Sequence, residues 1–232
     1  MAVRDIISNI LDILFPSSCV ACKAYLPRGM FICRACESAI PRNHTFFCSL
    51  CLARLPDGIL RCHPRGFLFG AATEYREDAV RELILILKFK AARNAAEPLA
   101  RMLAGYLREV GASFSDALLI PIPLSRERER ERGFNQVEHI AKIAGAELSI
   151  AVAPHILRRT RNTKPQSEIR DHRERKDNVS GAFVLTDAGT VGGRTVIVVD
   201  DVRTSGATLA EAVRTLRSAN PKRVIGVVVA RA

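Results

Sequence analysis

The sequence lacks several features that would assign it to other protein classes. It has no tryptophan, and aromatic residues make up only 6% of its 232 positions. It therefore offers few side chains on which nucleic-acid bases could stack, and Phe134 is the one that is well placed. No apolar run approaches the roughly 18 residues that a membrane span needs. The N-terminus lacks the charged region and cleavage site of a signal peptide, so we expect a cytoplasmic protein.

Acidic residues are outnumbered by basic ones. The chain has 35 Lys and Arg against 24 Asp and Glu, a net charge of +11. This balance favours polyanionic partners, although it also suits a merely soluble surface. The length suffices for one α/β domain and a small module. We predict an amphipathic helix that docks onto the body of the protein, a cysteine module and an α/β domain, over residues 1–16, 17–66 and 67–232.

Cysteine is absent from residues 63–232. All seven cysteines lie between Cys19 and Cys62, and the first three positions of the set recur 29 residues later. Repeated Cys-x-x-Cys knuckles at this spacing are typical of a zinc ribbon. The two predicted ligand sets are Cys19, Cys22, Cys33 and Cys36, and Cys48, Cys51, Cys62 and His63.

The second set has no cysteine at its fourth position. The repeat places Arg65 there, which cannot bind a metal; His63, or His44 from the preceding linker, could replace it. Disulfides are an alternative, but the odd cysteine count and missing signal peptide argue against them. A redox dithiol is disfavoured by the even spacing, and the second set could also pack without metal. We expect one or two structural zinc ions.

The most informative stretch runs from residue 195 to residue 209. It begins with β-branched apolar residues, which are typical of a parallel strand buried on both faces. Two carboxylates, Asp200 and Asp201, follow, and paired carboxylates at a strand end suit sugar hydroxyls. Next comes a loop before an amphipathic helix, whose free N–H groups would attract an anion. The loop residues are Thr204, Ser205, Gly206, Ala207 and Thr208.

This stretch resembles the 5-phosphoribosyl 1-pyrophosphate (PRPP) motif of type I phosphoribosyltransferases. A plain strand–turn–helix with a capping Ser or Thr would not explain two adjacent acids. Strands alternating with helices predict a parallel sheet, with ligands beyond the carboxyl ends of its strands. The other expected strands are residues 67–75, 117–124, 152–157 and 224–230, and the expected helices are residues 77–89, 97–110 and 135–146.

Two polar segments interrupt these patterns. The first alternates its charges over residues 127–131, which is typical of a solvated helix start, whereas residues 132–136 suit a loop. The second segment, residues 158–176, has no periodic pattern of apolar residues. This lack predicts a mobile, basic flap or a disordered, solvated loop. Its candidate contacts with single-stranded nucleic acid are Arg158, Arg159, Arg161 and Lys164.

Together these segments resemble the ComF (ComFC) family of competence-associated proteins over essentially the whole chain. Besides the double ribbon and the PRPP-type motif, the matching segments are Ile-Pro-Leu at residues 122–124, Arg-Gly-Phe-Asn-Gln at 132–136, Thr-Lys-Pro-Gln at 163–166 and Asn-Val-Ser-Gly-Ala-Phe at 178–183. The family pairs a zinc ribbon with a phosphoribosyltransferase-like domain. It is implicated in handling internalised single strands during natural transformation.

The resemblance implies a role for each site residue. Asp200 and Asp201 would hold the ribose hydroxyls, directly or through Mg²⁺, and residues 204–208 would bind the 5-phosphate. Two departures matter: Arg203 replaces a usually aliphatic residue, and Thr204 replaces an Asp that handles the base proton in purine-base transferases. The residues expected near pyrophosphate are Pro121, Ile122, Pro123, Leu124, Ser125, Arg126, Arg132 and Gln136.

Three functions are compatible with these residues. The first is a PRPP-binding protein that acts in DNA uptake, with or without phosphoribosyl transfer, and that could contact other competence proteins. The second is a nucleic-acid-binding adaptor whose PRPP pocket is vestigial or regulatory. The third is a metabolic phosphoribosyltransferase. The intact pair Asp200 and Asp201 favours the first over the second, and the missing carboxylate at position 204 counts against nucleobase salvage.

Overall fold

The computed structural model of the chain describes residues 17–56, 58–59, 62–90, 92–110, 116–161 and 177–232. The helix expected over residues 1–16, the motif at residues 163–166 and the candidate contact Lys164 lie outside the described residues. Within the described ranges, no helix combines the length and the apolar character that crossing a membrane requires.

A seven-stranded sheet organises the fold. Two antiparallel two-stranded sheets, one in the cysteine module and one beside the large sheet, add the remaining strands of the described ranges. The strands are β1 (Ser17–Ser18), β2 (Tyr25–Leu26), β3 (Phe46–Cys48), β4 (Arg54–Leu55), β5 (Leu68–Glu74), β6 (Ala117–Pro121), β7 (Ala151–Val152), β8 (Leu157–Arg159), β9 (Phe183–Leu185), β10 (Thr195–Arg203) and β11 (Arg223–Arg231).

The strand order of the large sheet is β4-β3-β5-β11-β10-β6-β7. From β5 to β7 all neighbours are parallel, whereas β3 and β4 are antiparallel additions at one edge. The chain moves from β10 to β11 in one direction along the sheet and from β6 to β7 in the other. A crevice therefore opens between the carboxyl ends of β6 and β10, where ligands of such sheets bind.

Helices cover both faces of the sheet. Those of the described ranges are α1 (Arg34–Ala39), α2 (Asp78–Phe89), α3 (Ala96–Glu109), α4 (Arg126–Arg132), α5 (Gln136–Leu148) and α6 (Ala207–Arg217), with a 3₁₀ turn at Arg93–Ala95. The core on the α2, α3 and α5 face includes Ile197 and Val199. The core on the α6 face includes Val196 and Val198. This alternation confirms that β10 is buried on both faces, as its β-branched sequence predicts.

The cysteine module is continuous with the large sheet. Phe47 pairs with Phe69 and Cys48 pairs with Leu68, so the second knuckle begins on a strand hydrogen-bonded to β5. Tyr106 of α3 is fully buried and its hydroxyl donates to the carbonyl of Thr45 at 2.8 Å. The module therefore shares its core with the α/β domain.

Two strand predictions are wrong in detail. The strand expected over residues 152–157 is divided between β7 and β8, which belong to different sheets, because the chain turns between Ala153 and Ile156. The motif strand runs beyond the acid pair to Arg203, because β11 supplies partners as far as Arg231. Asp200 and Asp201 therefore lie within β10.

Close packing of Gly70 against Tyr106 yields a test of this core. A Cβ added at Gly70 would lie 2.7 Å from Cε1 of the Tyr106 ring, whereas one at Gly189 would meet nothing closer than 3.4 Å. We expect Gly70→Ala to lower the free energy of unfolding by about 1–3 kcal/mol through overpacking. Urea denaturation with Gly189→Ala as the control measures this. Equal midpoints for the two variants would contradict the packing described.

Candidate functional site

A cavity of about 630 Å³ opens at the carboxyl ends of β6 and β10. Both aspartates and all five loop residues 204–208 line it, as do four predicted pyrophosphate residues: Ile122, Leu124, Arg132 and Gln136. The other four lie outside its lining. Pro121 is the last residue of β6 and Pro123 lies two residues beyond it. Ser125 caps α4 by accepting from the N–H of Arg128, and Arg126 is exposed.

The gap in the sheet explains why the aspartates reach this cavity. β6 pairs with β10 only as far as Pro121 opposite Val199, whereas β11 accompanies β10 to its end. Beyond Val199, no strand of the described ranges pairs with β10 on the β6 side. Because successive strand residues point to opposite faces, Asp200 and Asp201 have different surroundings.

Asp201 is buried, with 5% of its surface exposed, and is held by two side chains. Lys88 Nζ lies 2.9 Å from Oδ2 and donates to Oδ1 at 3.0 Å, and Gln136 Nε2 donates to Oδ2 at 2.9 Å. Burial by itself would raise the pKa of Asp201, but Lys88 and Gln136 together lower it below its usual range. Asp201 is therefore an anchored carboxylate whose two oxygens both have partners.

Asp200 is half-buried, and within the described ranges it forms no ion pair. Its Oδ1 accepts a hydrogen bond from the N–H of Asp201 at 2.9 Å. Burial and repulsion from Asp201 raise the pKa of Asp200 to about 7, although Lys88 and Arg159 oppose the rise. A ligand that brings a cation or hydroxyl groups would stabilise the charged form of this carboxyl.

Basic side chains surround the cavity. Arg159 lines it and lies 5.5 Å from the centre of the Phe183 ring, and burial lowers the pKa of Arg159 to about 10. Its neighbours in the predicted nucleic-acid set lie elsewhere: Arg158 and Arg161 are exposed, and Arg161 donates to the carbonyl of Ser180 at 2.7 Å. The structure thus divides the three arginines between the cavity and the outer surface.

The loop after β10 has the geometry of an anion site. Gly206 is the N-cap of α6 with a φ of 78°, and no side chain caps the helix there. Ala207 N–H donates to Ser205 Oγ at 3.4 Å, which leaves the other N–H groups of the first turn for a ligand. An anion at this helix end would also meet the positive end of the helix dipole.

Several lining residues were missed by sequence reasoning. They include Tyr75, Leu85, Lys88, Phe89 and Arg128. Lys88 was missed because its ion pair with Asp201 joins residues 113 positions apart. Leu85 and Phe89 did carry a signal, since they lie off the apolar face of α2 and are 41% and 72% exposed.

Two four-ligand clusters match the predicted metal sites. Their ligand atoms all lie within 4.8 Å of one another. Cys22 and Cys33 have their sulfurs 3.9 Å apart, close to the roughly 3.8 Å edge of a tetrahedron with Zn–S bonds of about 2.3 Å. In the second cluster, His63 Nδ1 lies 3.1 Å from Cys62 Sγ and 3.4 Å from Cys48 Sγ. His63 thus occupies the fourth position, whereas His44 contacts Glu109 at 2.8 Å.

The protonation of these cysteines fits a divalent metal. Burial would raise the pKa of Cys19 and Cys48, but backbone N–H groups lower each to about 6. Neighbouring thiols raise the pKa of Cys36 and Cys62 to about 12. Each cluster thus favours one thiolate and resists a further negative charge, which Zn²⁺ would neutralise.

Comparisons with known proteins agree with both parts of the structure. A family model described as a phosphoribosyl transferase domain matches residues 131–232, and a double zinc ribbon domain matches residues 10–65. The type I phosphoribosyltransferase fold and the zinc ribbon predicted from the sequence are therefore confirmed.

Three relatives are each similar to this chain over more than half of its length. DNA utilization protein YhgH of Shigella flexneri is 31% identical over 84% of this chain and 88% of its own. Competence protein ComFC of Bacillus subtilis is 27% identical over 80% and 77%. Competence protein F of Haemophilus influenzae is 31% identical over 58% and 61%.

Metal content tests the ligand sets. We expect between about one and two zinc ions per chain, because His63 replaces a thiolate in the second set. Cys36→Ser should lose the metal of the first set and partly unfold the module. His63→Ala should release metal to a chelator faster than the parent, and His44→Ala serves as the control. Elemental analysis measures the metal content of the parent and of Cys36→Ser, and the time course of release to a chelator compares His63→Ala with His44→Ala. Full metal content in Cys36→Ser would disprove the pairing.

Proposed function

Because the chain belongs to the ComF family of competence and DNA-utilisation proteins, we propose that its cavity binds PRPP or a related phosphoribosyl ligand together with Mg²⁺. The observation that carries this proposal is the juxtaposition within one cavity of an anion-binding helix end and a carboxyl of raised pKa. A phosphate ester of a sugar needs both groups, whereas a simple anion needs only the first.

The proposed ligand lies along the carboxyl edge of the sheet. Its 5-phosphate accepts N–H donors from residues 204–208, and its ribose hydroxyls face Asp200. Gln136 supports a hydroxylated ligand, because its Oε1 is buried at the cavity and has no donor within the described ranges. Arg132, Arg159 and the ion-paired Lys88 provide positive charge for the pyrophosphate.

Asp200 is the residue that fits Mg²⁺, because it is an oxygen ligand with a raised pKa and no ion pair within the described ranges. When bound, Mg²⁺ would neutralise charge on the departing pyrophosphate. In phosphoribosyl transfer the bond from the anomeric carbon to pyrophosphate breaks as an acceptor bonds to that carbon. The arginines hold the leaving group, and Asp201 fixes Lys88 beside it. Thr204 cannot take the acceptor's proton as a carboxylate would.

We further propose that the protein acts on single-stranded DNA during DNA uptake. The support is the net charge of +11, the exposed Arg158 in β8 and Arg161 just after it, and relatives named for competence and DNA utilization. β8 directs Arg159 into the cavity and Arg158 to solvent, so a bound strand would lie beside the phosphoribosyl site. A non-catalytic adaptor would share this surface but would not require Mg²⁺ and PRPP.

Calorimetric titration with PRPP and Mg²⁺ tests the ligand. We expect Asp200→Asn to weaken binding at least about tenfold without lowering stability, since it removes a carboxylate that burial disfavours. Binding to the parent should weaken as the pH falls below about 7, because Asp200 is then protonated. That pH dependence should shrink in the variant. Asp78→Asn, at an exposed ion pair, is the control.

Asp201→Asn should behave differently. It leaves Lys88, whose side chain is only 20% exposed, without its counter-charge, so we expect a lower free energy of unfolding as well as weaker binding. If both Asn variants bound PRPP like the parent, the ribose assignment would be wrong.

Single-strand binding is tested by fluorescence anisotropy at several salt concentrations. Replacing Arg158 and Arg161 with Ala should weaken binding and reduce the slope of log affinity against log salt by roughly 0.7 per lost contact. The control replaces Lys222 and Arg223, an equal charge exposed at the opposite end of the sheet. An unchanged or steeper slope in the first variant would rule out this surface.

A further inference from the structure

We propose that Arg203 is a second, buried source of positive charge for the 5-phosphate, and that the second cysteine knuckle holds it in place. This inference rests on the proposed phosphoribosyl site, which it deepens by naming an additional phosphate-binding residue. Arg203 lines the cavity together with the loop that follows it in the chain.

The guanidinium of Arg203 lies against the anion-binding loop. A Cβ added at Gly206 would lie 2.6 Å from its Nε and 2.9 Å from one terminal nitrogen. Gly206 is thus required both for its left-handed φ of 78° and for the close approach of this cation. A phosphate bound at the first turn of α6 would be near a full positive charge as well as backbone N–H groups.

Only 9% of the surface of Arg203 is exposed to solvent. Within the described ranges it forms no ion pair. Burial and repulsion from Arg231 both lower the pKa of Arg203. A buried cation without a counter-ion is costly, and an anion in the loop would remove that cost.

The neighbouring strand shows what a purely structural arginine looks like here. Arg231 is opposite Arg203 in the register of β10 and β11, and it lies 4.1 Å from the centre of the Phe47 ring. Its Nε also pairs with Glu74 at 2.7 Å. Arg203 has the equivalent ring contact, 4.9 Å from the centre of Phe69, but no carboxylate. The missing carboxylate is the partner that a ligand phosphate would supply.

The second knuckle fixes the position of Arg203. A terminal nitrogen of Arg203 donates to the carbonyl of Ser49 at 3.1 Å, and Ser49 lies between the ligands Cys48 and Cys51. Ser49 is itself held by Phe67, whose carbonyl accepts from Ser49 N–H at 3.1 Å and whose N–H donates to Ser49 Oγ at 3.0 Å. The loop between Cys48 and Cys51 therefore fixes the position of the Arg203 guanidinium next to the loop of residues 204–208.

Substitution with glutamine separates charge from structure. Arg203→Gln keeps a donor for the Ser49 carbonyl and removes the buried charge. We expect its melting temperature without ligand to be equal to or above that of the parent. Its affinity for inorganic phosphate, read from phosphate-dependent thermal stabilisation, should fall about tenfold or more. Arg231→Gln is the matched control, in which the unliganded stability should fall and phosphate affinity should stay at the parental value.

Phosphate and PRPP with Mg²⁺ are titrated side by side to distinguish the two proposals. If phosphate binds through Arg203 and PRPP binds no more tightly, the phosphoribosyl proposal fails and the role of Arg203 stands. If the parent is not stabilised by phosphate, or Arg203→Gln binds phosphate as the parent does, Arg203 has no such role.

A measurement on the unsubstituted protein covers the case in which Arg203→Gln does not fold. The Nε–H resonance of Arg203 should shift during a phosphate titration followed by nuclear magnetic resonance, and that of Arg231 should not. A stationary Arg203 resonance would overturn the proposal.

Discussion

The site exists because the two strands that pair with β10, β6 and β11, end at different positions along it. β6 stops at Pro121, opposite Val199, whereas β11 continues to Arg231. The last four residues of β10 are therefore held by hydrogen bonds on one side and open on the other. Had β6 been longer, its backbone would cover the positions from which the aspartates and the loop 204–208 reach the cavity. The last bond of the ladder on this side is donated by the N–H of Ile122 to the carbonyl of Val199 at 2.9 Å.

Adjacent acids in an extended strand cannot share one environment. Asp201 points to the face of α2 and α5, where Lys88 and Gln136 satisfy it. Asp200 points to the opposite side and meets Arg159 and the second acid only as longer-range charges. The pair thus divides into one anchored carboxylate and one that is ready for a ligand. Their chemical difference arises from strand geometry and not from residue type.

Much of this site could be predicted because its parts are consecutive in the chain. The strand, the two acids, the small-residue loop and the helix that follows are read directly from residues 195–217, and the cysteine repeat from its regular spacing. Lys88 and the role of Ser49 could not be predicted, since each meets the site through a contact between distant segments, whereas Arg159 was predicted as a contact with single-stranded nucleic acid and lines the cavity. The prediction of a single strand over residues 152–157 is wrong for a similar reason, because a short apolar run does not show where the chain leaves a sheet.

The pairing of β3 with β5 has a consequence for the edge of the sheet. Parallel sheets leave their outer strands with unpaired N–H and C=O groups, which readily pair with other chains. Here the cysteine module covers the outer side of β5, at Phe69 and Leu68, and then ends the sheet with β4, a strand of only two residues. Without this pairing, the backbone groups of Leu68 and Phe69 would lie at the edge of the sheet with no partner strand on that side. The cysteine module therefore terminates the sheet as well as holding the two ligand clusters.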